Sequence, residues 1–201
     1  RRQRQMCIRD RLASFEYNEL GEVIKKNLGG TLGEHLQEVD YAYNIRGWLT
    51  KINDLDLATA QSDGQPKDLW AMELSYDYGF DINQFNGNIA GAKWTSARND
   101  DVHAYGYQYD KLNRLKQADY RYEEENSGTW ANTKQDFTVF GINYNLNGNN
   151  LKLNRQGAIG KDTDGNWLFG DMDRLEYSYN ANRLMAVDDK ASSDASAGDF
   201  M

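Results

Sequence analysis

The apolar positions of this 201-residue chain do not recur at helical spacing. They alternate with polar residues over short runs, and each run ends in a polar cluster. Tyr41 and Tyr43, Tyr107 and Tyr109, and Tyr177 and Tyr179 stand two apart, which places both rings of a pair on one face of an extended strand. The second ring is followed by Asn or Asp, and a few residues later the alternation resumes. The pattern repeats in FEYNELGEVIKK (15–26), DYAYNIRGWLTKI (40–52), YGYQYDKLNRLKQA (105–118), GINYNLNGNNLKLNR (141–155) and LEYSYNANRLMAVDD (175–189), with a weaker copy, NQFNGNIAGAKW, at 83–94.

Each copy predicts a β-hairpin. The anchor aromatics are Tyr17, Tyr43, Phe85, Tyr109, Tyr144 and Tyr179, and their strand face is the expected buried face. Asn18, Asn44, Asn86, Asp110, Asn145 and Asn180 follow them, residue types whose side chains bond the backbone two residues on and start a turn. Gly21, Gly47, Asn113 and Gly148, four beyond their anchors, accept a left-handed backbone. The return strand then brings Val23, Leu49 and Leu115 back to the same layer six residues past the anchor. Leu151 and Leu184 fall seven and five past theirs, which predicts changed loop lengths absorbed by a bulge.

Residues 69–80, 120–140 and 157–173 also read as strands or long turns, with tips at Asn126-Ser127-Gly128 and Asp164-Gly165-Asn166. Residues 53–68, polar and turn-rich around Gly64 and Pro66, read as an inserted loop. The only helix candidates are 31–38 and the start of that loop. Because an isolated hairpin is marginal in water, the hairpins are expected to share edges. The predicted fold is all-β: repeated antiparallel β-hairpins forming a long curved sheet.

Composition agrees with many short strands. Only 39% of residues are hydrophobic, yet 13 are Tyr and 5 Trp, so rings carry the apolar surface; one Pro against 18 Gly points to turns that use positive φ. The formal net charge of −8 gives no support to nucleic-acid binding. Residues 1–11, RRQRQMCIRDR, stand apart in pattern and charge, and are expected to be a non-native, artefactual segment. On that reading a signal peptide is not legible here. Cys7, the only cysteine, lies in that segment, which excludes a disulfide framework and a cysteine nucleophile from the rest. No apolar run is long enough to span a membrane as a helix.

The copies YNELGEV, YNIRGWL and YDKLNRL resemble the YD-repeat or RHS-repeat family, whose unit reads approximately Tyr-Asp/Asn-x-x-Gly-x-Leu; the bacterial members look closest. The resemblance covers most of residues 12–190, with 191–201 a disordered tail. It implies a strip of hairpins that spirals into a hollow shell and, in toxin-bearing bacterial members, encloses a toxic C-terminal segment. The family's Pro- and Asp-rich core motif, with its aspartyl self-cleavage site, has no counterpart in this sequence. The partners so implied are neighbouring repeats of a full-length chain and an enclosed toxin or effector, in a protein secreted or held at the bacterial cell surface. Related repeats also occur in adhesion proteins.

Candidate chemistry is sparse. His35 and His103 lack further ligands at metal spacing. Asp162, Asp164, Asp171 and Asp173 invite a calcium reading, but the loop lacks the Gly and Glu of an EF-hand, so a hairpin tip is the expectation. No nucleophile elbow or phosphate loop is present. The expectation is therefore a non-catalytic protein without metal or cofactor. The rival reading is a surface adhesin or glycan-binding module that stacks exposed rings, among them Trp94 and Trp130, on sugars.

Overall fold

In a computed structural model of the protein, the described residues are 12–30, 35–57, 68–123 and 128–191. Among them are thirteen strands and no helix, so the fold is all-β with antiparallel pairing throughout. No helix among the described residues is long and apolar enough to cross a membrane. The opening segment 1–11, and the tail from residue 192, lie outside the described residues. The chain divides into two compact units, residues up to Leu74 with Trp94–Asp100, and Ser75–Lys93 with residues from Asp101 onward.

In the first unit, β1 (Ala13–Tyr17) and β2 (Val23–Leu28) form one hairpin and β3 (Gln37–Tyr43) and β4 (Leu49–Ile52) another; β5 (Trp70–Ser75) adds to β4. The hairpins join through β2 and β3, where Lys25 faces Asp40 and Leu28 faces Gln37. Asn53 locks the end of this array from a left-handed φ of 55°. Its backbone N–H donates to the Asp40 carbonyl (2.9 Å), its Oδ1 accepts the Asp40 N–H (2.8 Å), and its Nδ2 donates to the Trp70 carbonyl (2.8 Å). One buried amide thereby ties β3 to β5. The expected helix over 31–38 is not what the described part forms: Gln37 and Glu38 open β3, where pairing with Leu28 and Asn27 offers backbone partners that a single helical turn lacks. Residues 31–34, and 58–67 of the inserted loop, lie outside the described residues.

β6 (Gly91–Ser96) and β7 (Asn99–Tyr109) supply residues to both units. In the second unit β7 pairs with β8 (Leu115–Glu123), which also carries the short β9 (Trp130–Ala131); β10 (Val139–Tyr144), β11 (Asn150–Lys161), β12 (Trp167–Asn180) and β13 (Arg183–Asp189) follow in order. The register of β7 on β8 pairs Tyr105 with Tyr120 and Tyr107 with Ala118, while Ala104, Gly106 and Gln108 face Arg121, Asp119 and Gln117. Side-chain alternation makes one face aromatic and the other polar over a floor of small residues.

The aromatic face holds a chain of ring contacts: Tyr105 to Tyr120 at 5.5 Å, Tyr120 to Phe137 at 5.2 Å and Phe137 to Phe169 at 5.4 Å, all edge-on. Such pairs contribute about 0.5–1.5 kcal/mol each beyond burial. Its deepest rings are Tyr120 and Tyr122 on the return strand β8, both buried. The anchors are not: Tyr43, Tyr109, Tyr144 and Tyr179 are half-buried and Tyr17 is exposed. The repeated ring therefore does something other than fill a core.

Candidate functional site

The turns come first. At Asn18 the backbone N–H donates to the Glu22 carbonyl, and the Asn18 carbonyl accepts the Gly21 N–H, both at 3.0 Å. Its Oδ1 takes the N–H groups of Leu20 and Glu22 at 3.0 and 2.9 Å. The same four bonds recur at Asn44 with Arg46, Gly47 and Trp48, at Asp110 with Leu112, Asn113 and Arg114, and at Asn145 with Asn147, Gly148 and Asn149. The third residue beyond the Asn or Asp holds φ between 60° and 85° in all four. That is why Gly or Asn stands there.

A fifth turn of this kind occurs at Asp162, whose Oδ1 accepts from Asp164 and Asn166 and whose backbone closes on Gly165 and Asn166. A search for an aromatic before Asn or Asp misses it, because Lys161 occupies the anchor position. The ring has moved across the hairpin: Lys161 pairs with Trp167, and its ammonium lies 4.4 Å from the indole centroid. The spacing of Asp162 and Gly165 was the available signal. Asp162 thus serves the turn, while Asp171 bonds Gln156 and Arg174, and Asp173 pairs with Arg155. Hydrogen bonds from Asn166 hold the Asp162 carboxyl below its ordinary pKa, as the backbone and guanidinium of Arg114 do for Asp110.

Two copies depart from the expected pattern. Tyr144 faces Asn150, six beyond it like the others, so that loop is not lengthened; an Asn merely occupies the usual apolar position. At Tyr179 the loop does shorten, with Tyr179 opposite Leu184, Asn180 opposite Arg183 and Ala181 forced to φ 54°. Phe85 is exposed in a loop with no strand leading into it, and of the four turn bonds Asn86 shows one among the described residues, its Oδ1 accepting the Asn88 N–H.

The anchor hydroxyls explain the anchors. Tyr43 donates to the Val23 carbonyl at 2.9 Å and Tyr144 to the Leu115 carbonyl at 2.7 Å. Val23 and Leu115 are the first return-strand residues of the preceding hairpins, paired there with Tyr17 and Tyr109. Tyr109 similarly donates to the Ile89 carbonyl at 2.9 Å. Each of these rings therefore clasps the stretch before it. Polar turn residues add to the clasp: Asn86 and Asn88 donate to Asn113, Asn147 and Asn149 to Asn182, and the Arg114 guanidinium lies 4.5 Å from the Tyr144 ring centroid.

The polar face of β7 and β8 borders a cavity of about 600 Å³ within the second unit. Its floor is small, Ala90, Ala104 and Gly106, and Phe80 lies across Gly91 and Gly106 so closely that a Cβ at Gly91 would collide with the ring. Both oxygens of Asp119 are held by amides, Oδ2 by Gln108 at 2.9 Å and Oδ1 by Gln117 at 2.7 Å. The Lys93 ammonium stands 5.9 Å from the Phe80 centroid and 5.5 Å from that of Trp130. Trp130 is thus brought to a concave polar site. Trp94, on β6, is half-buried in the first unit and does not line this cavity.

His103 lies on the aromatic face, its Nδ1 2.7 Å from the Tyr120 hydroxyl. Burial lowers the His103 pKa and raises that of Tyr120 well above the usual phenol range. Neither ionises at neutral pH, so the pair is a neutral hydrogen bond within packed rings. His35 is half-buried before β3 in the first unit. No group of three or more metal-ligating side chains occurs among the described residues.

Clasped antiparallel hairpins define this chain as a β-hairpin repeat protein in structural class. Comparison with protein-family models and with curated proteins returns no match.

Proposed function

We propose that this chain is a non-catalytic stretch of wall from a bacterial protein of the YD-repeat or RHS-repeat kind, part of a spiral shell that encloses a toxin or effector segment. The observation that carries the reading is the recurrence of one turn, built four times around the Tyr-Asn/Asp-x-x-Gly/Asn unit, with anchor hydroxyls clasping one hairpin to the previous one. Residues spent alike at four of the six copies build a continuous surface, whereas a local catalytic site needs one arrangement found nowhere else. The function is containment. A hydrogen-bonded wall with its rings packed together keeps the cargo from the producing cell, and an acidic surface discourages nonspecific association. Export to the cell surface or medium follows from the same reading.

The test is protection of cargo in the complete protein that contains this stretch. Limited proteolysis should leave a segment downstream of the repeats intact until the wall is unfolded by urea. Cleavage of that segment as fast in the native protein as in its isolated form would refute containment.

A second reading, a glycan-binding surface module, is favoured by one observation, the cavity beside Trp130. An indole wall and the fixed Gln108–Asp119–Gln117 array offer a sugar a stacking face together with donors and acceptors. Reproducible binding on a glycan array, lost in Trp130→Ala, would favour it; an array without signal would remove it.

A further inference from the structure

The cavity beside β7 and β8 owes its room to register. Asp119 stands opposite Gly106 and Arg121 opposite Ala104, so two charged side chains of β8 face partners too small to fill the space beside them. The same Gly106 lets the Phe80 ring close in as one wall, and Trp130, 37% exposed, forms another. The volume of about 600 Å³ falls in the ordinary range for a small-molecule site.

Its charges are kept apart. Elsewhere on the strands opposite charges meet directly, Lys25 with Glu38, Lys51 with Asp54, Lys152 with Glu176 and Arg155 with Asp173. In the cavity Lys93, Arg121, Asp81 and Asp119 make no ion pair among the described residues. Asp119 is pinned by an amide on each oxygen, Gln108 from β7 and Gln117 from its own strand. The Arg121 guanidinium donates to the Tyr120 carbonyl at 2.9 Å, and the Lys93 ammonium rests against the Phe80 and Trp130 rings. An amide donor leaves a carboxylate its full charge, and a ring face does the same for an ammonium. Half-buried Lys93 and Asp119 therefore border one cavity, each lacking a counter-ion, and partly desolvated charges favour a ligand that supplies one for each.

Two cations and two carboxylates balance here, in a chain of net charge −8. That balance selects against a simple anion, which Asp81 and Asp119 repel together with the rest of the chain, and against a simple cation, which Lys93 and Arg121 repel. We propose that the cavity binds a zwitterion of the amino-acid and short-peptide class, its ammonium on Asp119, its carboxylate on Lys93 and its apolar side chain against Trp130. The Oε1 atoms of Gln108 and Gln117 accept no bond among the described residues and take the peptide N–H groups. This inference goes beyond containment and sugar stacking and depends on neither.

The experiment is a ligand-observed NMR titration of the 201-residue chain with phenylalanine, glycyl-phenylalanine and glycyl-glycyl-phenylalanine, whose terminal charges stand progressively further apart, and with glucose as the neutral comparison. One length should bind best, the one that spans Asp119 and Lys93. Acetylating its amine or amidating its carboxylate should each weaken binding about tenfold, the lower end for one hydrogen bond to a charged group. In Lys93→Gln the amidated and free-acid forms should bind alike while the penalty for acetylation persists. In Asp119→Asn the acetylated and free-amine forms should bind alike while the penalty for amidation persists. The blocked peptides on the parent chain keep the test open if either variant fails to fold. Lys111→Gln, at an exposed turn, should change nothing. Absence of binding across the series overturns the proposal. So does a penalty from only one of the two blocks, which marks a plain anion or cation site, and so does glucose binding as well as the best peptide, which gives the cavity to the glycan reading.

Discussion

Replacing Tyr144 by Phe removes one oxygen and keeps the ring, which isolates the clasp from its packing. The lost bond is 2.7 Å to the Leu115 carbonyl at a half-buried position, while the Arg114 guanidinium 4.5 Å from the ring centroid has the same face to rest on. A neutral hydrogen bond contributes about 0.5–1.5 kcal/mol net, so Tyr144→Phe should lower unfolding free energy by about 1 kcal/mol. With a urea m-value near 2 kcal/mol/M, that is a midpoint shift of about 0.5 M. Tyr43→Phe, with its bond to the Val23 carbonyl, should behave alike. Tyr17→Phe is the internal control, because its hydroxyl has no hydrogen-bond partner among the described residues. Urea titration followed by circular dichroism, at concentrations where the chain is monomeric, measures all three. If Tyr17→Phe costs as much as Tyr144→Phe, or Tyr144→Phe costs less than about 0.3 kcal/mol with unchanged m, the anchors owe their place to the ring and not to the hydroxyl.

Ala181 sits at φ 54°, a conformation costing an L-residue about 1–2 kcal/mol, so Ala181→Gly should stabilise the protein by up to about 1 kcal/mol after the glycine's extra unfolded-state entropy. Thermal unfolding reads it, and a lower midpoint would show that the turn is not strained. Asn44→Ala deletes the acceptor for the Arg46 and Trp48 N–H groups and should cost about 1–2 kcal/mol in a urea titration. Asn44→Asp should be nearly neutral, because Asp110 and Asp162 already serve this role. Burial lowers the His103 pKa below 6.5, so the unfolded chain binds the proton more readily. Its contribution is therefore level above about pH 6.5 and is lost as pH falls below that value, until the folded state protonates too. In His103→Gln, the part of the stability slope just below pH 6.5 should flatten; an unchanged slope would assign the acid sensitivity to the carboxylates.

Much of the fold was legible because it is local. A ring before Asn or Asp, with Gly or Asn three residues beyond that polar residue, specifies hydrogen bonds that close within five residues, so the turns at Asn18, Asn44, Asp110 and Asn145 follow from short-range chemistry. The Asp162 turn obeys the same chemistry and its tip at Asp164-Gly165-Asn166 was legible; only its kinship with the repeat was hidden, because its ring stands on Trp167 instead of residue 161. Phe85 shows the converse, a motif whose flanking residues build no outgoing strand, so that the ring is left in a loop. The site was harder to see. Gln108 and Gln117 are unremarkable polar residues in a strand pattern, and nothing in their spacing says that both grip Asp119.

By itself, the sequence determined the hairpins, their turns and the alternation that sorts side chains to two faces, since these depend on backbone geometry within a few residues. Only the tertiary structure decided which hairpins clasp which, that the deepest rings are Tyr120 and Tyr122 and not the repeated anchors, and that Trp130 borders the cavity while Trp94 does not. Those outcomes depend on register between strands, where a shift of one residue exchanges the two faces.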